Sequence, residues 1–301
     1  MGRIRRNVSL ALACSLSRCF AVLISTLAMA LPVRAQANWK SADSLLVCQL
    51  LGEADREENT LWFAQKLIGR PYVAHTLEIL PEEQLIVNTR QLDCTTFVET
   101  VCALTLCAAE GRPDFSRFCH FLKTLRYRRG VLDGYTSRLH YFSDWIIDNQ
   151  EMGLVEEIRQ QPPFSAVQRL NINYMSRHSG QYAALKQNPH LVSVIRQQEN
   201  ALTGKAVRYI PKKDVLNTSL MRRTISDGDI IAITCNKPGL DIAHLGFAVW
   251  RKDGLHLLNA SMLHKRVITE PMTLYQYLQK HPTFTGIRVI RLKTSRQQAA
   301  R

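Results

Sequence analysis

Several features that mark common protein classes are missing from this 301-residue sequence. Apart from one short apolar run near its start, no segment is apolar over the roughly 20 residues that a bilayer-spanning helix needs. No C-x-x-C pair has a matching partner, which argues against a structural zinc site. Repeats and low-complexity tracts are also absent. The composition of the whole chain, 46% apolar and 8% aromatic, is sufficient to fill a globular core.

The cysteines do not form the pattern of a disulfide scaffold. Two of the eight lie in the first 35 residues, and a chain of this size does not need disulfides to fold. If the chain is exported, oxidising conditions permit disulfides, but the spacing does not reveal any pairing. The remaining six cysteines are Cys48, Cys94, Cys102, Cys107, Cys119 and Cys235.

The formal charge of +14 falls to about +9 without residues 1–35, because five arginines and no acidic residue lie there. The other basic residues are scattered, and no nucleic-acid-binding module is recognisable, so we expect no nucleic-acid partner. Two interpretations remain: attraction to an anionic polymer such as cell wall, or a basic surface without a partner.

The first 35 residues predict a cleaved signal peptide. Arg3, Arg5 and Arg6 precede an apolar run over 20–33, and Val33-Arg34-Ala35 has small residues where a signal peptidase cuts, with Ala35-Gln36-Ala37 as a second option. We therefore expect a secreted, periplasmic protein with no membrane span in the mature chain. The alternative is an uncleaved membrane anchor.

The rest of the chain predicts an α+β domain over 61–293, preceded by an N-terminal helical extension over 36–60. Helical periodicity covers 44–67, 94–109, 113–127 and 138–149, and strand patterns follow at 207–210, 229–234, 244–250, 255–260, 266–268 and 287–292, with a helix at 273–280. The polar segment at about 151–205 predicts a largely helical insertion, a candidate cap over the substrate.

Cys94 is predicted to lie in the first turn of the helix over 94–109, with Asp93 as its cap. The positive end of a helix dipole lowers a thiol pKa, and its free N–H groups can hold an oxyanion. Both effects suit a nucleophile. The alternative is a structural cysteine, a role that better fits Cys102, Cys107 and Cys119 because they lie within apolar helical patterns.

His244, at the start of a strand, is the candidate base for Cys94. The next strand offers two orienting partners, His256 and Asn259, which point to opposite faces because strand side chains alternate. A hairpin turn at Lys252-Asp253-Gly254 would set His244 opposite about 260–262. This register favours Asn259 and leaves His256 as the alternative.

These residues resemble the NlpC-type, papain-fold peptidoglycan hydrolases. Asp93-Cys94-Thr95-Thr96-Phe97-Val98 is similar to the family's nucleophile motif, Gly228-Asp229-Ile230-Ile231 to its next strand, and His244-Leu245-Gly246-Phe247 to its histidine strand. Asn259-Ala260 stands where the family usually has His-Ala, and papain itself uses Asn. The resemblance implies a papain-like fold, with the nucleophile helix packed on an antiparallel sheet, and assigns Tyr72 to the oxyanion site.

A closer resemblance is to the amidase branch of this superfamily, long catalogued as a domain of unknown function. It covers nearly all of 60–293 and rests on ordered motifs: 92–99, 138–145, 209–212, 241–248 and 255–261. It implies an N-acetylmuramoyl-L-alanine amidase that acts on small anhydro-muropeptides in cell-wall turnover or recycling.

The same resemblance makes four residues candidates for substrate binding: Arg138, His140, Tyr141 and Asp144. Arg138 would suit a substrate carboxylate in a bidentate contact. The alternative is structural, with Asp144 paired to Arg138 and Tyr141 in the core. Ser176, His178 and Tyr182 are weaker candidates in the 151–205 segment.

The implied reaction is acyl transfer through Cys94, His244 and Asn259, which requires no metal or cofactor and only a muropeptide or peptidoglycan fragment as partner. A monomer is expected. One rival function is a γ-D-glutamyl-diamino acid endopeptidase with the same catalytic residues. Others are a catalytically inactive wall-binding protein and a zinc protein.

Overall fold

The computed structural model describes residues 37–54, 60–111 and 113–294. Within them, helices precede and flank an antiparallel sheet, which confirms the predicted α+β class. The specifically papain-like, NlpC-type fold stays a prediction. The proposed signal peptide lies outside the described residues. Among the described residues, no helix combines the length and apolarity that a membrane span demands.

Ten helices and ten strands form the described part of the chain. The helices are α1 Ser41–Glu53, α2 Thr60–Lys66, α3 Cys94–Ala109, α4 Phe115–Arg126, α5 Phe142–Glu151, α6 Tyr174–Arg177, α7 Ala183–Gln187, α8 Pro189–Leu202, α9 Ser219–Thr224 and α10 Leu274–Gln279. The strands are β1 Ala37–Asn38, β2 Leu85–Ile86, β3 Val155–Ile158, β4 Ala166–Arg169, β5 Ala206–Pro211, β6 Ile230–Cys235, β7 Ile242–Trp250, β8 Leu255–Ser261, β9 Arg266–Thr269 and β10 Phe284–Leu292.

The main sheet has eight strands in the order β4-β5-β10-β6-β7-β8-β9, with β3 also paired to β10. All of these pairings are antiparallel. The predicted hairpin turn joins β7 to β8, and the pairing of Trp250 with Leu255 fixes their register. A separate parallel pair, β1 and β2, brings Ala37 beside Leu85.

Both faces of the sheet are covered around β6, in which every residue is buried. Ile230 and Ala232 pack into one core with the helices α1 to α5, whereas Ile231 and Ile233 point to the opposite face, into a second core with α9 and α10. Phe97 of α3 meets Phe247 of β7 edge to face, with ring centroids 5.4 Å apart. This contact seats α3, which carries Cys94, against β7, which carries His244.

A short extended segment, 69–72, covers the outer edge of β9. The N–H of Gly69 donates to Val267 O at 2.9 Å, Val267 N–H donates to Arg70 O at 2.8 Å, and Tyr72 N–H donates to Lys265 O at 2.9 Å. This pairing fixes the backbone of Tyr72 next to the β8–β9 turn.

The segment 151–205 differs from the helical prediction in its first half. Residues 155–158 and 166–169 are strands β3 and β4 of the main sheet, because main-chain pairing with β10 and β5 outweighs the weak apolar pattern of these polar sequences. The second half is helical and forms a third apolar cluster with Tyr135 and Tyr141. The assignment of an insertion stays a prediction.

We predict that Gly246→Ala destabilises the protein, because the added Cβ would lie 2.7 Å from Leu258 O and 2.8 Å from a Leu257 methyl group. Overpacking of this kind typically costs about 1–3 kcal/mol. Thermal unfolding followed by circular dichroism measures the effect. The matched control is Gly52→Ala in α1, where no atom lies within 4 Å of the added Cβ, and we expect its melting temperature to be unchanged or higher. An unchanged Gly246→Ala melting temperature would contradict the close strand approach.

Candidate active site

Helix α3 begins at Cys94, as the sequence predicts, because Asp93 caps it. Asp93 Oδ1 accepts from Thr96 N at 2.8 Å, and Asp93 N donates to Thr96 Oγ1 at 2.9 Å, a reciprocal capping box. The N–H groups of Cys94 and Thr95 have no acceptor within the helix. The thiol therefore stands beside main-chain donors that can stabilise a developing negative charge.

Cys94 and His244 open onto the same cavity of about 190 Å³. Segments from α3, α5, β7 and the 151–205 segment form its walls. The lining residues are Cys94, Thr95, Leu139, His140, Tyr141, Phe142, Met175, Tyr182, Leu240, Asp241, Ile242, Ala243, His244 and Leu245. Of the predicted substrate residues, His140 and Tyr141 lie in this wall, as does the weaker candidate Tyr182.

The side chain of Asn259 lies against His244, with Asn259 Oδ1 2.8 Å from His244 Nε2. An amide oxygen only accepts, so His244 donates through Nε2 and its Nδ1 is left as the unprotonated, basic nitrogen. His256 takes no part in this contact. Its Nδ1 is 2.9 Å from Glu270 O and its Nε2 3.0 Å from Asp253 Oδ1.

Burial governs the ionisation of both candidate catalytic groups. The pKa of Cys94 is raised to about 12, chiefly by burial and next by the charge of Asp93, while hydrogen bonds from Thr95 and from the N–H groups of Leu245 and Cys94 lower it by less. Burial also lowers the pKa of His244, outweighing its hydrogen bond to Asn259. These shifts favour a neutral thiol and a neutral imidazole, so burial outweighs the lowering of the thiol pKa that the helix end predicts.

Tyr72 lies near Cys94. Burial raises the pKa of Tyr72 to about 12, and negative charge on Cys94 and Asp93 contributes in the same direction. Its phenol is therefore protonated at neutral pH and can donate a hydrogen bond. The resemblance-based expectation of an oxyanion donor remains a prediction.

Arg138 does not line the cavity, and its guanidinium is already paired. Its Nη2 lies 3.3 Å from Glu78 Oε1, and its Nε lies 3.3 Å from Glu83 Oε1. The suggested structural pairing with Asp144 is wrong, because Asp144 pairs with Arg128. Arg138 and Asp144 are thus both engaged in ion pairs, and their roles in substrate binding stay predictions.

His140 and Tyr141 present different chemistry to the cavity. His140 Nε2 is 2.9 Å from the carbonyl oxygen of Tyr135, which only accepts, so Nδ1 is the free acceptor. Burial lowers the pKa of His140 to about 3, and the ring is neutral. The Tyr141 hydroxyl donates to Glu199 Oε1 at 2.7 Å and accepts from Met175 N at 2.9 Å, which anchors the 151–205 segment to the cavity wall.

Two buried carboxylates of this region carry no sequence signal that identifies them. Asp241 lines the cavity and accepts from Ser143 N at 2.7 Å, which fixes the start of α5. Glu270 follows β9 and contacts the amide of Asn259. Asp241 lies in a motif that the resemblance covers, but neither role follows from residue spacing. In the ranges that the structure describes, no cluster of three or more His, Cys, Asp or Glu residues could hold a metal.

We predict that Asp93→Asn moves the alkylation profile of Cys94 to lower pH. Asn caps helices as well as Asp does. The substitution removes a negative charge that raises the thiol pKa, so more thiolate is present at each pH. Iodoacetamide labelling over a pH series, quantified on the Cys94 peptide by mass spectrometry, measures the shift. Peptide resolution is needed because Cys48 is exposed.

Asp114→Asn is the matched control for this substitution. Asp114 caps α4 through Arg117 N, and its charge acts on Cys107 and Cys119. Asp114→Asn should therefore leave the pH profile of Cys94 alkylation unchanged. A Cys94 profile that Asp93→Asn does not move would show that this carboxylate does not act on the thiol.

Comparison with known proteins agrees with this geometry. A family model described as N-acetylmuramoyl-L-alanine amidase-like matches residues 62–287. An N-acetylmuramoyl-L-alanine amidase from Bacteroides uniformis ATCC 8492, solved at 1.30 Å, is 41% identical, with 78% of this chain and 99% of that chain covered and a TM-score of 0.74. No curated protein matches the sequence.

Two further solved structures are similar. A Bacteroides fragilis protein provisionally described as a xylanase is 41% identical, with 77% of this chain and all of that chain covered and a TM-score of 0.73. A Legionella pneumophila protein is 23% identical, with 84% and 93% covered and a TM-score of 0.64, a likeness of fold alone.

Proposed function

On the premise that the chain belongs to the N-acetylmuramoyl-L-alanine amidase-like family, we propose that it is a cysteine amidase. Its substrate is the amide bond between N-acetylmuramic acid, or the anhydro form of this sugar, and L-Ala in peptidoglycan fragments. Cleavage of this bond serves cell-wall turnover or recycling.

One observation carries the proposal: the shared cavity of Cys94 and His244, with Asn259 on the far nitrogen of the imidazole. A nucleophile needs a base, and the base needs a partner that sets its tautomer. With Nε2–H donated to Asn259, Nδ1 is the atom that takes a proton from the thiol. The placement of Cys94 at the first position of α3 adds main-chain donors for an oxyanion.

The reaction begins from a neutral pair. As Cys94 Sγ attacks the lactyl carbonyl carbon, its proton passes to His244 Nδ1. Because attack and proton transfer occur together, the reaction needs no free thiolate, which the raised pKa of Cys94 would disfavour. The N–H groups at the start of α3 and the Tyr72 hydroxyl hold the oxyanion. The imidazolium then protonates the departing amine of L-Ala, the C–N bond breaks, and a thioester remains. Water, deprotonated by His244, attacks the thioester and restores the thiol.

Glycosidase chemistry fits this cavity less well. Hydrolysis of a glycosidic bond typically uses two carboxyl groups that flank the scissile bond. Asp241 is the one carboxylate among the residues lining this cavity, and it is hydrogen-bonded to Ser143 N. The provisional xylanase description of the Bacteroides fragilis relative therefore has little support in this chain.

Three further parts of the proposal concern the context of the enzyme. Residues 1–35 are a cleaved signal peptide, and the mature enzyme works in the periplasm. The domain over 61–293 is a papain-like member of the NlpC-type superfamily. The segment 151–205 contributes to substrate binding through Met175 and Tyr182, which lie in the cavity wall.

We predict that Cys94→Ala abolishes release of stem peptide from anhydro-muropeptides, because no other thiol lines the cavity. Mass spectrometry of the products distinguishes the candidate reactions. Free stem peptide plus an intact sugar, lost in Cys94→Ala and retained in the exposed-cysteine control Cys48→Ala, supports the amidase. A Cys94-dependent cut inside the stem would make the enzyme an endopeptidase, and no Cys94-dependent product from any wall fragment would refute the proposed reaction.

We also predict that Tyr72→Phe lowers kcat with little change in KM, because the phenol acts on the oxyanion and not on the bound ground state. Loss of one oxyanion donor typically lowers kcat by about 100- to 1,000-fold. Steady-state kinetics on a muropeptide provide the measurement, with Tyr275→Phe, an exposed tyrosine of α10, as control. Equal kcat values for Tyr72→Phe and wild type would remove Tyr72 from the oxyanion site.

A further inference from the structure

The amide of Asn259 is held on two sides. Its Oδ1 lies 2.8 Å from His244 Nε2, and its Nδ2 donates to Glu270 Oε1 at 3.0 Å. Two other acceptors of Nδ2, the carbonyl oxygens of Leu257 and Ile268, are both 3.4 Å away. Asn259 and Glu270 are each 0% exposed. Glu270 is therefore the shortest polar contact of the amino end of this buried amide.

The orientation of this amide decides the tautomer of His244. The two ends of an asparagine amide are nearly equal in size, but one only accepts and the other only donates. If the NH2 group faced His244, Nε2 would have to accept, and the ring proton would move to Nδ1. The imidazole could then take no proton from a thiol at Nδ1.

The carboxylate of Glu270 fixes the orientation of the Asn259 amide. A carboxylate only accepts hydrogen bonds, so the NH2 group of the amide turns toward Glu270 and the oxygen turns toward His244. Glu270 is itself fixed. Its N–H donates to Leu257 O at 2.8 Å, its carbonyl is 2.9 Å from His256 Nδ1, and its Oε2 is 3.2 Å from His264 Nε2. His264 stands in the β8–β9 turn with its side chain 32% exposed. A relay of hydrogen bonds, from His264 through Glu270 and Asn259 to His244, therefore runs from the surface to the candidate base.

We infer that Glu270 is a positioning residue that locks the Asn259 amide with its oxygen toward His244 and so keeps Nδ1 of His244 unprotonated. This inference rests on the proposed roles of His244 and Asn259. Glu270 touches neither substrate nor thiol in this arrangement, and acts only through the amide.

The test substitution is Glu270→Gln, which preserves size but can present an amino group to Asn259 and allow the amide to reverse. We expect His244 to lose its uniform Nε2–H form in two-dimensional ¹⁵N NMR of the imidazoles, with its signals assigned by their absence in His244→Ala. Alkylation of Cys94 should slow. We expect kcat to fall about 10- to 100-fold with KM nearly unchanged, by analogy with the loss of groups that orient metal-ligating histidines.

Asp253→Asn is the matched control. It makes the same carboxylate-to-amide change beside a histidine of the same hairpin, His256, but Asp253 does not contact Asn259. It should keep the wild-type tautomer and alkylation rate.

A double-mutant cycle adds a readout that a purely structural role would not give. If Glu270 acts through the amide, Glu270→Gln should cost no further activity in an Asn259→Ala background.

Two results would overturn the inference: a wild-type His244 tautomer and Cys94 alkylation rate in Glu270→Gln, or additive losses in the double mutant. If Glu270→Gln does not fold, His264→Gln, at a partly exposed position, tests the same relay with a smaller expected shift in the same direction. The NMR and alkylation readouts need no substrate. Failure of the amidase proposal, in which the wild-type enzyme cleaves no muropeptide, is therefore distinguishable from failure of the inference.

Discussion

The register between β7 and β8 is the constraint on which the candidate site depends. The turn after Trp250 pairs this residue with Leu255, and each step back along β7 is matched by one step forward along β8. By this count His244 lies opposite Ser261, and its imidazole reaches Asn259, two residues away on the same face of β8. A slip by one residue would turn Asn259 to the opposite face of the sheet and leave the imidazole without its partner. Gly246 belongs to the same constraint, because a side chain there would collide with β8.

The second constraint is the pKa of Cys94, on which burial and the helix N-terminus act in opposite directions. A helix N-terminus stabilises a thiolate, but the adjacent carboxylate of Asp93 and the loss of solvent act in the opposite direction and prevail. In the proposed reaction, the sulfur of Cys94 therefore stays neutral until it attacks the substrate carbonyl. A buried neutral thiol also resists oxidation, since thiolates are the species that oxidants attack.

The parts of the fold that depend on local sequence could be predicted. Helix α3 and its start follow from the Asp93 cap and the apolar period after it, and the β7–β8 hairpin follows from the Lys252-Asp253-Gly254 turn. Polar strands such as β3 could not be predicted, because their pairing partner lies more than a hundred residues away. Glu270 lies only 11 residues beyond Asn259, but no spacing rule marks their contact. The partners of Arg138 could not be foreseen, because they lie in a loop, 73–84, that has no periodicity. The reaction itself could be suggested only by resemblance, since fold and spacing do not specify a substrate.

The strip of backbone at 69–72 does more than position Tyr72. An outermost strand with free N–H and C=O groups invites pairing with another chain, and proteins commonly blunt such edges. Here the hydrogen bonds from Gly69 and Tyr72, and that from Val267, occupy this side of β9. The same four residues therefore protect the edge of β9 from self-association and position Tyr72, the oxyanion candidate. A substitution that loosens this segment would therefore both displace Tyr72 and open the edge of β9 to self-association.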